Sequence, residues 1–521
     1  MNILSRIDDL DKKDLALYIF LAITFALLAV FSFTEFIWVD EGYSLMTSSK
    51  SLGYAFEKSL TFELQPPLYY VLLSLWRNIN STIPFAKLLS VLLLMASAFP
   101  LKALLKIYFG KRHQIFTMIF LSNLIILNFA LEIRYEMLVI LLVIILEYLF
   151  HICYLASPTK IHLRVFYVIV AILGVYTQYY FSFILMANFI LLLSYQKKSA
   201  FIYLFDMIWP VLSLVFLLPY LQFQVNQSQT LCEMDVSALY YFNFIYYSLE
   251  DILLQFFPFF APLIKFIHHP FIIAGLFVIF FMLNWRYKFS NPLTNHYFPK
   301  LILLMAMYAV LSTLLNVNTL WIRYYTVMFI ALWIFLFSII NMIPYEKWVY
   351  ILSVALIFLS LGYFIRDKLQ NPKGEDHVEI AHYLRDHEMS RENIFVYRNE
   401  IPIALNRIYD GKNKIIPIPE MVSPEDTYDL TDWRIKDYSQ VDSIFQKHKT
   451  PYLWLITEDN TFEESRYCID FNDDILNRYV SDHFEIISEK VIHGLTIKKL
   501  MWSNGRKKEI AATANPSRLA N

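Results

Sequence analysis

Cysteine, glycine and charge are all in short supply in this chain. Three cysteines in 521 residues (Cys153, Cys232 and Cys468) cannot build a disulfide framework, and their spacing matches no metal-ligand pattern. Ten glycines supply no glycine-rich phosphate loop, which argues against nucleotide binding. Charged residues make up 17%, and 44 Lys/Arg against 45 Asp/Glu leave a formal net charge of −1. A nucleic-acid binder would carry a basic footprint, and none exists here. No internal repeat of fixed period is visible.

What fills the chain instead is apolar. Hydrophobic residues reach 57% and aromatics 17%, whereas an average soluble domain is about 45–50% apolar and about 25% charged. The positive mean hydropathy, +0.46, is spread over the first two-thirds. Disorder, a collagen-like fibre and a disulfide-stapled module are excluded. The composition is that of an integral membrane protein.

A helix crosses the hydrocarbon with about 20 apolar residues. Spans are expected near 14–33, 84–106, 114–129, 131–155, 164–178, 181–195, 201–221, 262–283, 300–316, 320–340 and 347–365. The first is too long for a removed signal peptide and lacks a small-residue cleavage site. About eleven spans place the termini on opposite sides. If 164–195 were one long helix instead, everything after it would change sides. Charge arbitrates, because Lys and Arg gather in short cytoplasmic loops. The alternate loops that begin with residues 1–14 hold 15 Lys/Arg in 65 residues, against 3 in 96 on the other side. Merging 164–195 would move Lys197, Lys198, Arg286 and Lys288 outward and spoil this bias. The expected orientation in the cytoplasmic (inner) membrane is N-terminus inside and C-terminal part periplasmic or extracellular.

Two outward loops are more than turns. Residues 34–83 contain the run Pro66–Trp76, too short to cross and suited to an interfacial helix. Residues 222–261 are rich in Tyr, Phe and Gln and hold no Lys or Arg, a composition that suits the outer headgroup level. Composition turns polar at Arg366. Helical spacing at Val378–Glu388, Ile401–Tyr409, Asp437–His448 and Ile475–His483 alternates with β runs at Ile394–Tyr397, Tyr452–Ile456, Phe484–Ile492 and Leu495–Leu500. That rhythm predicts a small α/β domain over 366–502 with a mainly parallel sheet. A tail over 503–521 is expected to be disordered. The fold class is thus mainly α and polytopic, a 1–365 membrane domain followed by an extracytoplasmic α/β domain.

The chemistry-bearing residues gather on the outward side. Asp40-Glu41 directly follows the first span. Two roles fit it: a solvated helix start with Asp40 as the cap, or a general base or metal ligand at the mouth of a membrane cavity. Arg134, in Glu132-Ile133-Arg134-Tyr135, and Arg323, in Trp321-Ile322-Arg323-Tyr324, each fall about one turn inside the outer end of a span. Neither has an acid at i±3 or i±4 on its own helix. Each must snorkel, pair with another helix or bind an anion, and two guanidinium forks at one depth suit a phosphate-bearing ligand. Glu63-Leu64-Gln65-Pro66-Pro67-Leu68-Tyr69-Tyr70 positions the interfacial helix through its Pro-Pro break. The turn Tyr176-Thr177-Gln178-Tyr179-Tyr180, on the same side, is expected to line the cavity. Adjacent histidines on a helix point apart, so His268-His269 makes a poor metal site. Glu250-Asp251 is the rival acid pair. Glu147 and His151, four residues apart toward the cytoplasmic end, are expected to form a structural pair.

In type and order, these pieces resemble the GT-C glycosyltransferases, in particular the group of protein O-mannosyltransferases and lipid A aminoarabinose transferases. The series runs from Asp40-Glu41 through Gln65-Pro66-Pro67-Leu68-Tyr69-Tyr70 and Phe85-Ala86-Lys87-Leu88-Leu89-Ser90 to Glu132-Ile133-Arg134-Tyr135 and Arg323-Tyr324. The family often has His or Lys where this chain has Gln65, and Arg where it has Lys87. The resemblance implies a sugar donor linked to a polyprenyl phosphate and inverting transfer to an acceptor hydroxyl of a lipid, polysaccharide or protein. It implies Asp40 as base with Glu41 as support, Arg134 and Arg323 on the leaving phosphate, and Tyr135, Tyr324, Gln65, Gln178 and Tyr179 as substrate contacts. It implies no metal and no cofactor. Two other classes stay open: a transporter or flippase of lipid-linked saccharides, and an O-antigen polymerase or ligase. Against the first stand the chain's lack of the paired half-chain repeats usual in alternating-access folds and its large one-sided domain. The second keeps its main polar loop late in the chain.

Overall fold

The structure, a computed structural model, describes residues 12–156, 161–229, 296–315, 322–370, 375–397, 401–419, 434–458 and 473–503. The span near 262–283, Glu250-Asp251, His268-His269, residues 230–261 and the tail past Ser503 lie outside them. The chain divides into two compact units. One comprises Met1–Glu35, Thr47–Asn226 and Met234–Asn371, and the other Phe36–Met46, Gln227–Glu233 and Pro372–Asn521.

The helices of the N-terminal two-thirds run in order: α1 (Lys12–Thr34), α2 (Val39–Thr47), α3 (Leu52–Thr61), α4 (Leu68–Arg77), α5 (Ile83–Phe109), α6 (His113–Leu121), α7 (Leu124–Ala130), α8 (Glu136–Phe150), α9 (Ile161–Val175), α10 (Phe181–Tyr195), α11 (Lys197–Ser213), α12 (Leu218–Gln229), α13 (Tyr297–Leu315), α14 (Phe329–Asn341) and α15 (Glu346–Gln370). Among the described residues, five helical stretches are long and apolar enough to cross a membrane: Asp14–Thr34, Ile83–Leu121, Glu136–Ala156, Lys197–Asn226 and Glu346–Gln370. α9, α10, Tyr297–Leu311 of α13 and Tyr325–Asn341, which contains α14, are shorter apolar helices. This is a multi-pass membrane protein.

Local sequence explains the breaks. Gly110, at φ +52°, ends α5 where a side chain would be strained. The stretch expected as one span over 114–129 is two helices, because Asn123 takes an extended conformation and its side chain caps α7 at the Ile125 amide. Likewise the helix expected from 131 begins only at Glu136, which leaves Leu131–Tyr135 as a turn. α9 and α10 meet at a tight turn because Gly174 lacks a Cβ. One added there would sit 2.2 Å from the Phe181 ring.

Burial separates the inner helices from the lipid-facing ones. In the stretch Glu136–Ala156, 72% of the most apolar window is buried, against 28% for Lys197–Asn226. The latter presents Phe201, Trp209 and Phe216 outward, as a hydrocarbon-facing surface requires. Stacked rings of Phe116 and Phe337, 4.5 Å apart, join α6 to α14. The Arg112 guanidinium donates to the Asn341 and Ile343 carbonyls, satisfying groups that the end of α14 leaves orphaned. α15 continues four residues beyond the compositional break at Arg366. Its Lys368 Nζ lies 2.6 Å from Glu35 Oε1, past the end of α1.

The C-terminal part contains α16 (Glu375–His387), β1 (Asn393–Tyr397), α17 (Ile401–Ile408), β2 (Ile415–Ile418), α18 (Tyr438–Lys447), β3 (Tyr452–Glu458), α19 (Asp473–His483), β4 (Phe484–Ile492) and β5 (Leu495–Trp502). The sheet order is β2-β1-β3-β5-β4. β1, β2 and β3 are parallel, whereas β4 and β5 form an antiparallel hairpin on β3. The short strand β2 was not expected from the sequence. Alternate residues of β1 feed two cores. Ile394 and Val396 pack with Ile380, Leu384 and Leu405, while Phe395 stacks 4.3 Å from Phe445 of α18. Buried Glu392 ties the sheet together, bonding Lys499 at 2.7 Å and the Trp454 indole N–H at 2.9 Å.

Candidate functional site

Arg134 occupies the turn between α7 and α8, so the helix-face spacing expected for it does not apply. Ser90 of α5 pins that turn by donating to the Glu132 carbonyl at 2.6 Å. Of its expected fates, Arg134 adopts pairing with an acid from another element. Its Nη1 lies 3.2 Å from Glu63 Oε2, and both side chains are 6% exposed. Tyr70 of α4 donates to the same oxygen at 3.1 Å, and Thr47 reaches Glu63 Oε1 at 3.4 Å. Burial and the Glu63 charge push the Tyr70 phenol up, keeping it a donor. The Arg134 guanidinium stands 5.3 Å from the Tyr135 ring, and Tyr135 is fully buried.

Glu63, the first residue of the motif that positions α4, is a site residue that the sequence pattern does not single out. What places it is the backbone of the next residue: Leu64 adopts φ +54°, a conformation that a bulky side chain seldom takes. Gln65 must be extended before Pro66. The chain bends on either side of Leu64, and Glu63 lies beside Tyr70 and Arg134. Gln65 itself is half-buried.

The turn over 176–180 belongs to the same unit. The Tyr176 carbonyl accepts from the Leu68 amide at 2.9 Å, which fixes the start of α4. Gln178 is buried, and its Oε1 accepts from Thr326 at 3.3 Å. Thr326 lies on the 3-10 segment Ile322–Met328. Arg323 and Tyr324 are on that segment's backbone, but their side chains lie outside the described residues. Tyr179 is half-buried. Gln224 of α12, which donates to the Leu60 carbonyl at 2.8 Å, ties α12 to the end of α3.

Asp40 and Glu41 fall in the other compact unit. They open α2, where their environments differ. The Glu41 carboxylate accepts from the Trp38 amide at 3.1 Å, and the residue is fully buried. That bond is half of a capping box. Capping therefore falls to Glu41, not to Asp40, the expected cap. Asp40 is half-buried, and its carbonyl accepts from Ser44 Oγ at 3.0 Å. Lys87, in the third motif, is fully buried and donates to the Glu35 carbonyl at 3.0 Å.

Glu147 does not pair with His151. Lys300 takes it at 2.6 Å, Tyr297 donates to it at 3.0 Å and Asn188 at 3.3 Å, while His151 meets the Tyr108 hydroxyl at 3.2 Å. Both charges are removed from solvent. The cluster joins α5, α8, α10 and α13 as a buried polar core.

No family model and no curated protein matches the sequence. Among solved structures, the chain is similar to ArnT from Cupriavidus metallidurans bound to undecaprenyl phosphate. The TM-score is 0.48 and the identity 11%, over 92% of this chain and 97% of that one. The apo state of the same protein gives 0.47 and 12%, over 96% and 99%. The archaeal oligosaccharyltransferase AglB from Archaeoglobus fulgidus, in complex with an inhibitory peptide and a dolichol-phosphate, gives 0.42 and 11%, over 94% and 74%.

Proposed function

We propose that the chain is an inverting membrane glycosyltransferase of the GT-C type. It moves a sugar from a polyprenyl-phosphate donor to an acceptor hydroxyl on the outer face of the cytoplasmic membrane. The observation that carries this reading is the division of labour in the acid pair. Glu41 is fully buried and accepts from the Trp38 amide at the start of α2, while its neighbour Asp40 is half-buried.

A carboxylate so placed suits a general base. The acceptor oxygen attacks the anomeric carbon from the face opposite the phosphate. The new C–O bond forms as the bond to the phosphate oxygen breaks, and the hydroxyl proton passes to Asp40. The phosphate leaves with the electron pair on the lipid carrier. Its charge needs cations, and Arg134 with Arg323 would supply them. Glu63 contacts the Arg134 guanidinium through Nη1 at 3.2 Å. Gln65, Tyr135, Gln178, Tyr179 and Tyr324 are assigned to the donor and acceptor. The 366–502 domain would serve in acceptor selection.

The test is transfer from a radiolabelled polyprenyl-phosphate sugar to envelope glycans by purified protein. Asp40→Asn should abolish transfer while insertion and thermal unfolding stay as in wild type. Normal turnover by that variant would remove Asp40 from the base role.

A further inference from the structure

α17 has two buried faces with different neighbours. Ile401 and Leu405, four residues apart, belong to the sheet core. Ile403 points the other way, about 200° around the helix from Ile401. It is 4% exposed, yet it is not part of that core cluster. What covers it is α2. A Cβ added to Gly42 would lie 2.3 Å from Ile403 Cγ2, far inside contact distance. Gly42 follows Asp40-Glu41 immediately, and Phe36–Met46 forms one compact unit with Pro372–Asn521.

We infer that the α/β domain is a positioning element for Asp40: the bare Gly42 backbone seats against Ile403 and sets where α2 holds its carboxylate. This rests on the proposed sugar transfer, with Asp40 as its base. The signs are distinctive. In an isolated helix Gly→Ala is stabilising, because glycine is the poorer helix former. Here the added methyl would push α2 off α17. The clash is relieved by trimming the other side, because the Ile403 Cβ would stand 3.7 Å from the new methyl, an ordinary contact.

The experiment compares wild type, Gly42→Ala, Ile403→Ala and the double variant as full-length protein in lipid nanodiscs. Two readouts are taken: hydrogen exchange of the amides of Val39–Thr47, and transfer kinetics. Gly42→Ala should raise exchange over α2 and cut kcat by about 100-fold, with the donor KM within about twofold. The double variant should restore both. Ile403→Ala alone, should Gly42→Ala fold poorly, should loosen α2 with a smaller loss of kcat. Unchanged or increased protection of α2 in Gly42→Ala would overturn the contact. Loosened α2 with wild-type kcat would overturn the positioning role. If exchange responds and recovers as described but wild type transfers no sugar, the docking stands and the proposed function fails.

Discussion

Arg134 and Glu63 are 71 residues apart in sequence, and their side chains meet at 3.2 Å with 6% of each exposed. Removing one partner of such a pair strands a charge, which costs about 3–5 kcal/mol, whereas replacing both with apolar groups can be close to neutral. Glu63→Gln should therefore lower the unfolding temperature more than Glu63→Gln combined with Arg134→Met. Thermal unfolding in detergent measures this. Equal losses would mean that the pair is solvated in the working protein.

The acid pair should separate by phenotype. Glu41→Gln weakens the cap on the Trp38 amide and should destabilise by about 0.5–2 kcal/mol, with transfer retained in the folded fraction. Asp40→Asn should do the reverse, keeping stability and losing transfer. Measuring unfolding temperature and turnover on the same preparations checks both. Loss of turnover by Glu41→Gln at full stability would exchange the two roles.

Within the bundle, the Glu147–Lys300 contact is buried on both sides. Lys300→Met should strand Glu147 among Tyr297 and Asn188 and reduce the yield of monodisperse protein. Adding Glu147→Gln should recover part of it, because no ion is then left in a dry site. Size-exclusion profiles of the three proteins decide the matter.

In the α/β domain, burial together with the Lys414 and Lys447 charges holds the His448 imidazole below its usual value. A depressed histidine favours the neutral form in the folded state. Its contribution to stability is complete above the unfolded value, near 6.5, and is lost as pH falls through the folded value. Lys447→Gln should raise the His448 pKa and move that loss upward in pH. Histidine NMR titration of the full-length protein reads the shift, and a downward move would contradict the assigned cause.

How much was readable in advance depended on the range of the interactions. Helix α4, the turn over 176–180, and four of the five strands follow from neighbours along the chain: a Pro-Pro break, a polar gap between apolar runs, two-residue alternation. Membrane character followed from composition, since burying so many apolar side chains in a water-soluble core would leave too little polar surface. The motif series from Asp40 to Arg323 was readable because it is ordered along the chain. Tertiary structure decided the partners. Nothing local tells that Arg134 meets Glu63 rather than lipid or water, that Lys300 displaces His151 from Glu147, or that Gly42 is bare because Ile403 needs its space. Local spacing sets backbone conformation within a few residues. A buried charge or a shared volume is settled only when distant segments compete for the same desolvated place, and that competition takes place in three dimensions.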